Sequence, residues 1–373
     1  MDLVTRAGDL KAMLMEFARS PRFNRELSAV IAQNYPDGIV TDEEMFSLVL
    51  DNFVLQHRLP SGTTIVAEFV AAHPELADDE RDMLLGWQDV VESVFEVTGK
   101  DRSALVLLNF LDELTYRARS NMGGRVFRPL KKGMIIVGRL VRAGEDWMIS
   151  GNMIVSPATA RDQILAAAAQ QAMSHPETVF RNPAKLTQAR DILAEQRREF
   201  VDLFGDDLIV VPGEEVPGKV EAFHHRLATA KNPEAEPGPV PHLDLPDHMR
   251  AASGVAIFFA AGEGISFYPD FDLLDDLFRN PALISRRRYR DALSTFLRDP
   301  DISPEPLRRL AARDPAKAST VFTRLLRRKG GVSWDTDGER LLRQHKPGYF
   351  EGERLPRTVP LSPLLSDALR RSR

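Results

Sequence analysis

Between Val90 and Ser156, strand-like segments follow one another at hairpin spacing, with helical sequence on both sides. Turns this close leave a chain few ways to bury its apolar faces, so this stretch limits the folds open to the whole. From Val90 to Thr98, Val91, Phe95 and Val97 alternate with Glu92, Glu96 and Thr98, the period of a half-buried strand. Gly99-Lys100-Asp101-Arg102 reads as a turn. Ala104 to Leu108 is an apolar run short enough for a strand buried on both faces. From Glu113, Leu114, Tyr116 and Ala118 share one face, and Thr115, Arg117 and Arg119 the other. Asn121-Met122-Gly123-Gly124 breaks the chain. Lys131-Lys132-Gly133 turns into a strand from Met134 to Arg142, and Ala143 to Asp146 turns into another from Trp147 to Ile154. The pattern predicts a five-stranded SH3-like or OB-like β-barrel, in which closure protects the strand edges.

Eight basic residues lie between Arg117 and Arg142: Arg117, Arg119, Arg125, Arg128, Lys131, Lys132, Arg139 and Arg142. No Asp or Glu falls among them. Phosphate contacts come mainly from Arg and Lys, so this run predicts a groove for DNA or RNA. Tyr116 belongs to the predicted core rather than to a stacking platform, which leaves Arg117 and Arg119 facing solvent. The competing account is a solvated basic face that answers acidic residues elsewhere in the chain.

Residues 1–88 read as a helical bundle. Leu3, Ala7, Leu10, Leu14 and Phe17 recur at spacings of four and three, which marks one helical face. Thr41-Asp42-Glu43-Glu44 has the form of a capping box ahead of Phe46, Val49, Leu50 and Phe53. A third helix spans Thr64 to Ala72. Asp78 or Asp79 caps a fourth, which carries Met83, Leu84 and Trp87 toward the barrel. The candidate recognition helix lacks the basic face that a helix-turn-helix needs. After Pro157, Ile164, Leu165 and Ala168 lead another helix. The next, from Leu186 to Phe204, buries Ile192, Leu193, Phe200 and Leu203 and ends at Gly205. Asp207 to Val211 reads as a strand, and Gly254 to Phe259 with Ile265 to Tyr268 as a hairpin.

Three motifs in this region suggest chemistry, and each is incomplete. Gly213 to Val220 fits GxxxxGK, but Val220 stands where a phosphate loop needs a hydroxyl, and Glu214 and Glu215 would repel phosphate. His242, Asp244, Asp247 and His248 are metal-ligand types, with His224 and His225 on the preceding helix. They lie in a proline-rich segment, Lys231 to Met249, that offers no rigid frame. Asp270, Asp272, Asp275 and Asp276 resemble a magnesium cluster, yet no Glu-x-Lys or Asp-x-Lys strand follows. They read as acids at a helix N-terminus above Leu273, Leu274 and Leu277. No catalytic residue, metal or cofactor is predicted.

The C-terminal region is helical and basic. Arg286-Arg287-Arg288-Tyr289-Arg290 opens a helix with Leu293 and Phe296. Ser303-Pro304-Glu305-Pro306 and Asp314-Pro315 start two more, and Arg324, Arg327, Arg328 and Lys329 gather at the end of the last. Beyond Gly330-Gly331 the chain is expected to wrap the surface and end in a short helix near Leu364 to Leu369. Net charge is −5, but Arg279 to Arg373 holds 22 basic residues against 11 acidic, and the rest 27 against 43. A basic end beside an acidic front predicts an acidic partner, either nucleic acid or the chain's own front. The absence of cysteine excludes disulfides and thiolate chemistry and suits a reducing cytoplasm. The N-terminus lacks the form of a signal peptide, and no apolar stretch approaches a membrane span. Arginine outnumbers lysine 39 to 10, which points to a GC-rich bacterial genome.

Leu130 to Val141 running into Trp147-Met-Ile-Ser-Gly151, together with Val255-Ala-Ile-Phe-Phe259 and Phe267-Tyr-Pro-Asp270, resembles an uncharacterised group of bacterial proteins. That resemblance concerns fold and brings no functional residue with it. The resulting expectation is a cytoplasmic α+β protein in four parts: a helical region at 1–88, a small barrel at 89–156, a mixed α/β region at 157–280 and a basic helical region at 281–373. Its predicted role is non-enzymatic nucleic-acid binding or regulation. A protein-interaction adaptor and a metal-dependent hydrolase are the alternatives.

Overall fold

The computed structural model of this mixed α+β chain describes residues 3–37, 42–231, 243–327, 329–351 and 354–372. Packing divides it into two compact units, Met1–Lys185 with Val359–Arg373, and Leu186–Thr358.

In the first unit, β1 (Val91–Asp101), β2 (Ala104–Asn109), β3 (Thr115–Arg119), β4 (Ile135–Ala143) and β5 (Asp146–Ser156) pair in the closed order β1-β2-β3-β5-β4. Every pairing is antiparallel except β3 with β5, which are parallel through Ala118–Trp147 and Arg119–Met148. β1 closes the ring. It pairs with β4 from Val91 to Glu96 and with β2 from Phe95 to Asp101. An irregularity between Val97 and Gly99 bends the strand so that it can serve both partners. The strand therefore continues past the expected turn at Gly99. The chain reverses instead at Arg102 and Ser103, where Arg102 has φ +52°. Phe95, Val97, Leu105, Leu107, Tyr116, Ala118, Ile136 and Leu140 form the core of the ring, and Phe127 and Leu130 from the β3–β4 connection complete it.

The helices α1 (Leu3–Ala18), α2 (Asn24–Asn34), α3 (Glu43–Leu55), α4 (Ile65–Ala72) and α5 (Asp78–Gly86) pack on the outside of the sheet. Ala7, Leu10 and Leu14 of α1 are fully buried, as their spacing predicts. They share one core with Val141, Ala143 and Met148, so the barrel wall is also the floor of the bundle. Trp87 is fully buried there and donates from Nε1 to the Arg142 carbonyl at 2.8 Å. The capping box on α3 falls outside the described residues at Thr41, as does the Glu44 side chain; Asp42 Oδ1 accepts from the Met45 N–H at 3.0 Å. On α5 the cap position is Ala77 rather than Asp78 or Asp79, and Glu80 accepts from its N–H. The sequence pattern does not mark α2, because Val30 is its one buried residue and leaves no periodic signal. After the barrel come α6 (Arg161–Ser174), α7 (Pro176–Val179) and α8 (Pro183–Phe204). The C-terminal helix Pro363–Arg371 returns to α6 and buries Leu365 and Ala368.

In the second unit, β6 (Leu208–Val211), β7 (Val255–Ala260) and β8 (Gly264–Tyr268) form an antiparallel sheet with β7 central. Val255, Ile257 and Phe259 pack with Leu193 and Phe200 of α8 and Phe223 of α9 (Val216–Lys231). A short α10 (Asp247–Arg250) precedes β7. On the other face, Ala256 and Phe258 pack with α11 (Phe271–Arg279), α12 (Arg287–Arg298), α13 (Glu305–Arg313), α14 (Pro315–Leu326) and α15 (Trp334–His345). Helices on both faces explain why β7 reads as an unbroken apolar run. Two expectations fail here. Leu203 is 39% exposed rather than buried. The segment after Gly331 contains α15 rather than irregular chain; Gly338 interrupts its pattern because the Trp334 ring lies where a β-carbon would be, 2.9 Å away.

Candidate functional site

The eight basic residues between Arg117 and Arg142 do not form one face. Arg139 is 1% exposed and points into the helical layer. A register shift between Val137 and Arg139 lies beside it. Its Nε donates to Asp51 Oδ2 at 2.7 Å, its Nη2 to Gln56 Oε1 at 2.6 Å, and it pairs with Glu92. Lys11 Nζ and Ser150 Oγ both reach Asp51 Oδ1 at 2.6 Å. Burial opposes ionisation of Asp51, but Lys11 and Arg139 outweigh it and hold the carboxyl below its ordinary range. Burial pulls the Lys11 ammonium below its usual value. Arg139 is thus part of a buried ionic cluster and has no access to a polymer.

Arg117 lies between two hairpin turns. Its Nε meets Asp101 Oδ2 at 2.9 Å and its Nη1 meets Asp146 Oδ1 at 2.5 Å. Arg119 pairs with the same Asp146 at 3.8 Å. These two arginines are answered by acids that precede and follow the basic run in sequence, at the ends of β1 and β4–β5.

The remaining five have no ion pair among the described residues. Arg125 and Arg128 are exposed on the turn of the β3–β4 connection, and Lys131 and Lys132 follow on the same connection. Lys100 joins them from the β1–β2 hairpin, where its Nζ donates to the Arg128 carbonyl at 3.3 Å. Lys131, Lys132 and Arg161 line one cavity of about 590 Å³, with Met134, Ile135 and Val155 in its walls. Lys100 and Arg161 also lack an ion pair among the described residues. Neither belongs to the basic run in sequence, because Lys100 precedes it on β1 and Arg161 follows it on α6. The fifth, Arg142, lies elsewhere. Its guanidinium covers the Trp147 ring at 4.4 Å, and it lines a second cleft of about 550 Å³ with Leu114, Tyr116, Arg117, Trp147 and Arg181.

Behind that cleft lies a buried polar chain. Ser93 Oγ donates to Asn109 Oδ1 at 2.6 Å, Asn109 Nδ2 to Asp112 Oδ2 at 2.8 Å, and Tyr116 Oη to the same oxygen at 2.5 Å. Burial pushes the Asp112 carboxyl up to about 6 against these bonds. It also raises the Tyr116 hydroxyl, which donates to that carboxylate. Asn109 and Asp112 end an apolar run in sequence, and that polar interruption was their only signal.

The other motifs are structural where they are described. Gly213 begins a helical turn and Gly218 and Lys219 lie inside α9, so no loop cradles phosphate. His242 lies outside the described residues; Asp244 is exposed and faces Arg250 at 3.7 Å. Among the described residues no group of three or more carboxylates and imidazoles is placed to hold a metal ion. Asp272 accepts from Ser253 Oγ at 2.6 Å, and Asp275 pairs with Arg279 and Arg313. In the basic C-terminal region, Arg308 pairs with Glu339, and Arg309 with Asp206 and Asp207 of the same unit. Arg286, Arg288 and Arg290 are exposed at the start of α12. No model of a known protein family, no curated protein and no solved structure matches this chain.

Proposed function

We propose that the protein binds single-stranded DNA or RNA on the basic end of its barrel and catalyses no reaction there. One observation carries this reading: Lys100, Arg125, Arg128, Lys131, Lys132 and Arg161 gather around the β3–β4 connection with no ion pair among the described residues, although Glu96 lies beside Gly133. Cations left unpaired on a surface are available to phosphate, whereas Arg117 and Arg139 are already occupied. The closed strand order, with β3 parallel to β5, supports an OB-type barrel over an SH3-like meander, and OB barrels are frequent hosts of single strands. This is an argument from fold, and it ranks below the charge layout. No helix among the described residues is long and apolar enough to cross a membrane. The lack of cysteine supports a cytoplasmic setting, and the excess of arginine over lysine supports a bacterial one.

The test is a titration of nuclease-treated protein with labelled single-stranded DNA and RNA. Four phosphate contacts predict a loss of about 50-fold in affinity between 50 and 200 mM salt. Replacing Lys100, Arg128, Lys131 and Lys132 by glutamate abolishes binding while circular dichroism stays unchanged. Absence of binding at 50 mM salt would overturn the reading.

A further inference from the structure

The basic connection leaves the second cleft unused. β3 and β5 pair only at Ala118–Trp147 and Arg119–Met148, so on this side of β3 the residues from Thr115 to Arg117 have no strand partner. The barrel wall opens there, and the cleft occupies the gap. One wall is the Trp147 indole, half-buried and set edge-on to Tyr116 with ring centres 5.0 Å apart. That contact and the neighbouring barrel core fix the ring in place. Its face is covered by the Arg142 guanidinium, which has no ion pair among the described residues. A cation–π contact at an exposed site is weak, so Arg142 is easily displaced. Arg117 and Arg181 stand beside it, and both are anchored. Arg181 pairs with Asp89 at 2.6 Å and donates to the Val90 carbonyl at 2.8 Å. Two acids also line the cleft: Asp89, held by Arg181, and Glu145, which has no ion pair among the described residues and can accept from an exocyclic amine.

A fixed aromatic face beside guanidinium groups suits a planar ring with an attached anion. A volume of about 550 Å³ is of the size that takes a small planar group. We propose that this cleft takes one nucleobase of the bound strand: the base stacks on Trp147 in place of Arg142, and Arg142 turns out to the adjacent phosphate. β3 joins the two sites, since it begins in the cleft and leads through Arg119 into the basic connection. This inference rests on the single-strand reading and adds to it a stacking position that sequence analysis did not assign.

The experiment uses the full chain and oligonucleotides carrying one 2-aminopurine. Wild-type protein quenches the probe on binding. Trp147→Ala loses the quenching and weakens binding by about 10-fold or more, while Trp147→Phe keeps a ring and stays within about threefold. The salt dependence of Trp147→Ala matches wild type, because no phosphate contact is removed. Should Trp147→Ala misfold, the quenching by wild type and Trp147→Phe decides the matter. Salt-dependent binding without quenching, with wild-type affinity in Trp147→Ala, overturns the base site and leaves the single-strand reading standing. Failure of the oligonucleotide to bind wild type at low salt overturns both.

Discussion

Asp51 shows how one side chain can decide whether its neighbours are functional. Arg139 belongs by sequence to a basic run, but Asp51 on α3 draws it inward together with Lys11. Removing the acid leaves Lys11 buried without its carboxylate and leaves Arg139 with only Glu92 and Gln56. Asp51→Ala is therefore expected to lose about 3–5 kcal/mol in denaturant unfolding, and a loss below about 1 kcal/mol would contradict the account. Asp112 acts through protonation. Its folded pKa of about 6 lies above the unfolded value of about 3.9. Its contribution to stability is thus fully present below about pH 4 and is lost as pH rises through 6, about 3 kcal/mol in all. Unfolding midpoints between about pH 4 and 7 should fall with rising pH in wild type and lose that component in Asp112→Asn. Equal slopes in the two proteins would show that Asp112 does not titrate as described.

Local elements carry the clearest sequence signals, and also the clearest failures. The β4–β5 hairpin falls where its turn signal places it, α1 matches its periodicity, and α4 starts at Thr64, which accepts from the Ala67 N–H at 3.2 Å. The end of β1 does not, because an irregular strand keeps no strict period of two. Gly213 stands in sequence at the head of GxxxxGK, but its role is steric. A β-carbon there would lie 2.0 Å from the Met249 carbonyl oxygen, so the turn before α9 packs directly on the backbone of α10. Gly213→Ala is expected to destabilise the second unit by about 1–3 kcal/mol or displace α10, measured as a lowered midpoint of thermal unfolding. Nucleotide binding is not expected to change, since no phosphate loop is present.

On the scale of the whole chain, the last fifteen residues belong with the first unit. Leu365 and Ala368 cover α6, and the Pro360 carbonyl accepts from Lys185 Nζ at 3.1 Å. Truncation after Thr358 should speed hydrogen exchange in α6 and leave β6, β7 and β8 protected as before; uniform change in both units would refute the assignment. The sequence by itself determined the helical flanks, the strand alternation and the placing of Tyr116 in a core, because these depend on residues a few positions apart. It also determined that the motif at Gly213 lacks a magnesium ligand. Only tertiary structure decided which cations remain available. Asp51, Asp101 and Asp146 lie outside the basic run and meet Arg139, Arg117 and Arg119 only after the sheet closes. The cleft beside Trp147 has the same origin. It exists because β3 and β5, far apart in sequence, touch over two residue pairs and then part.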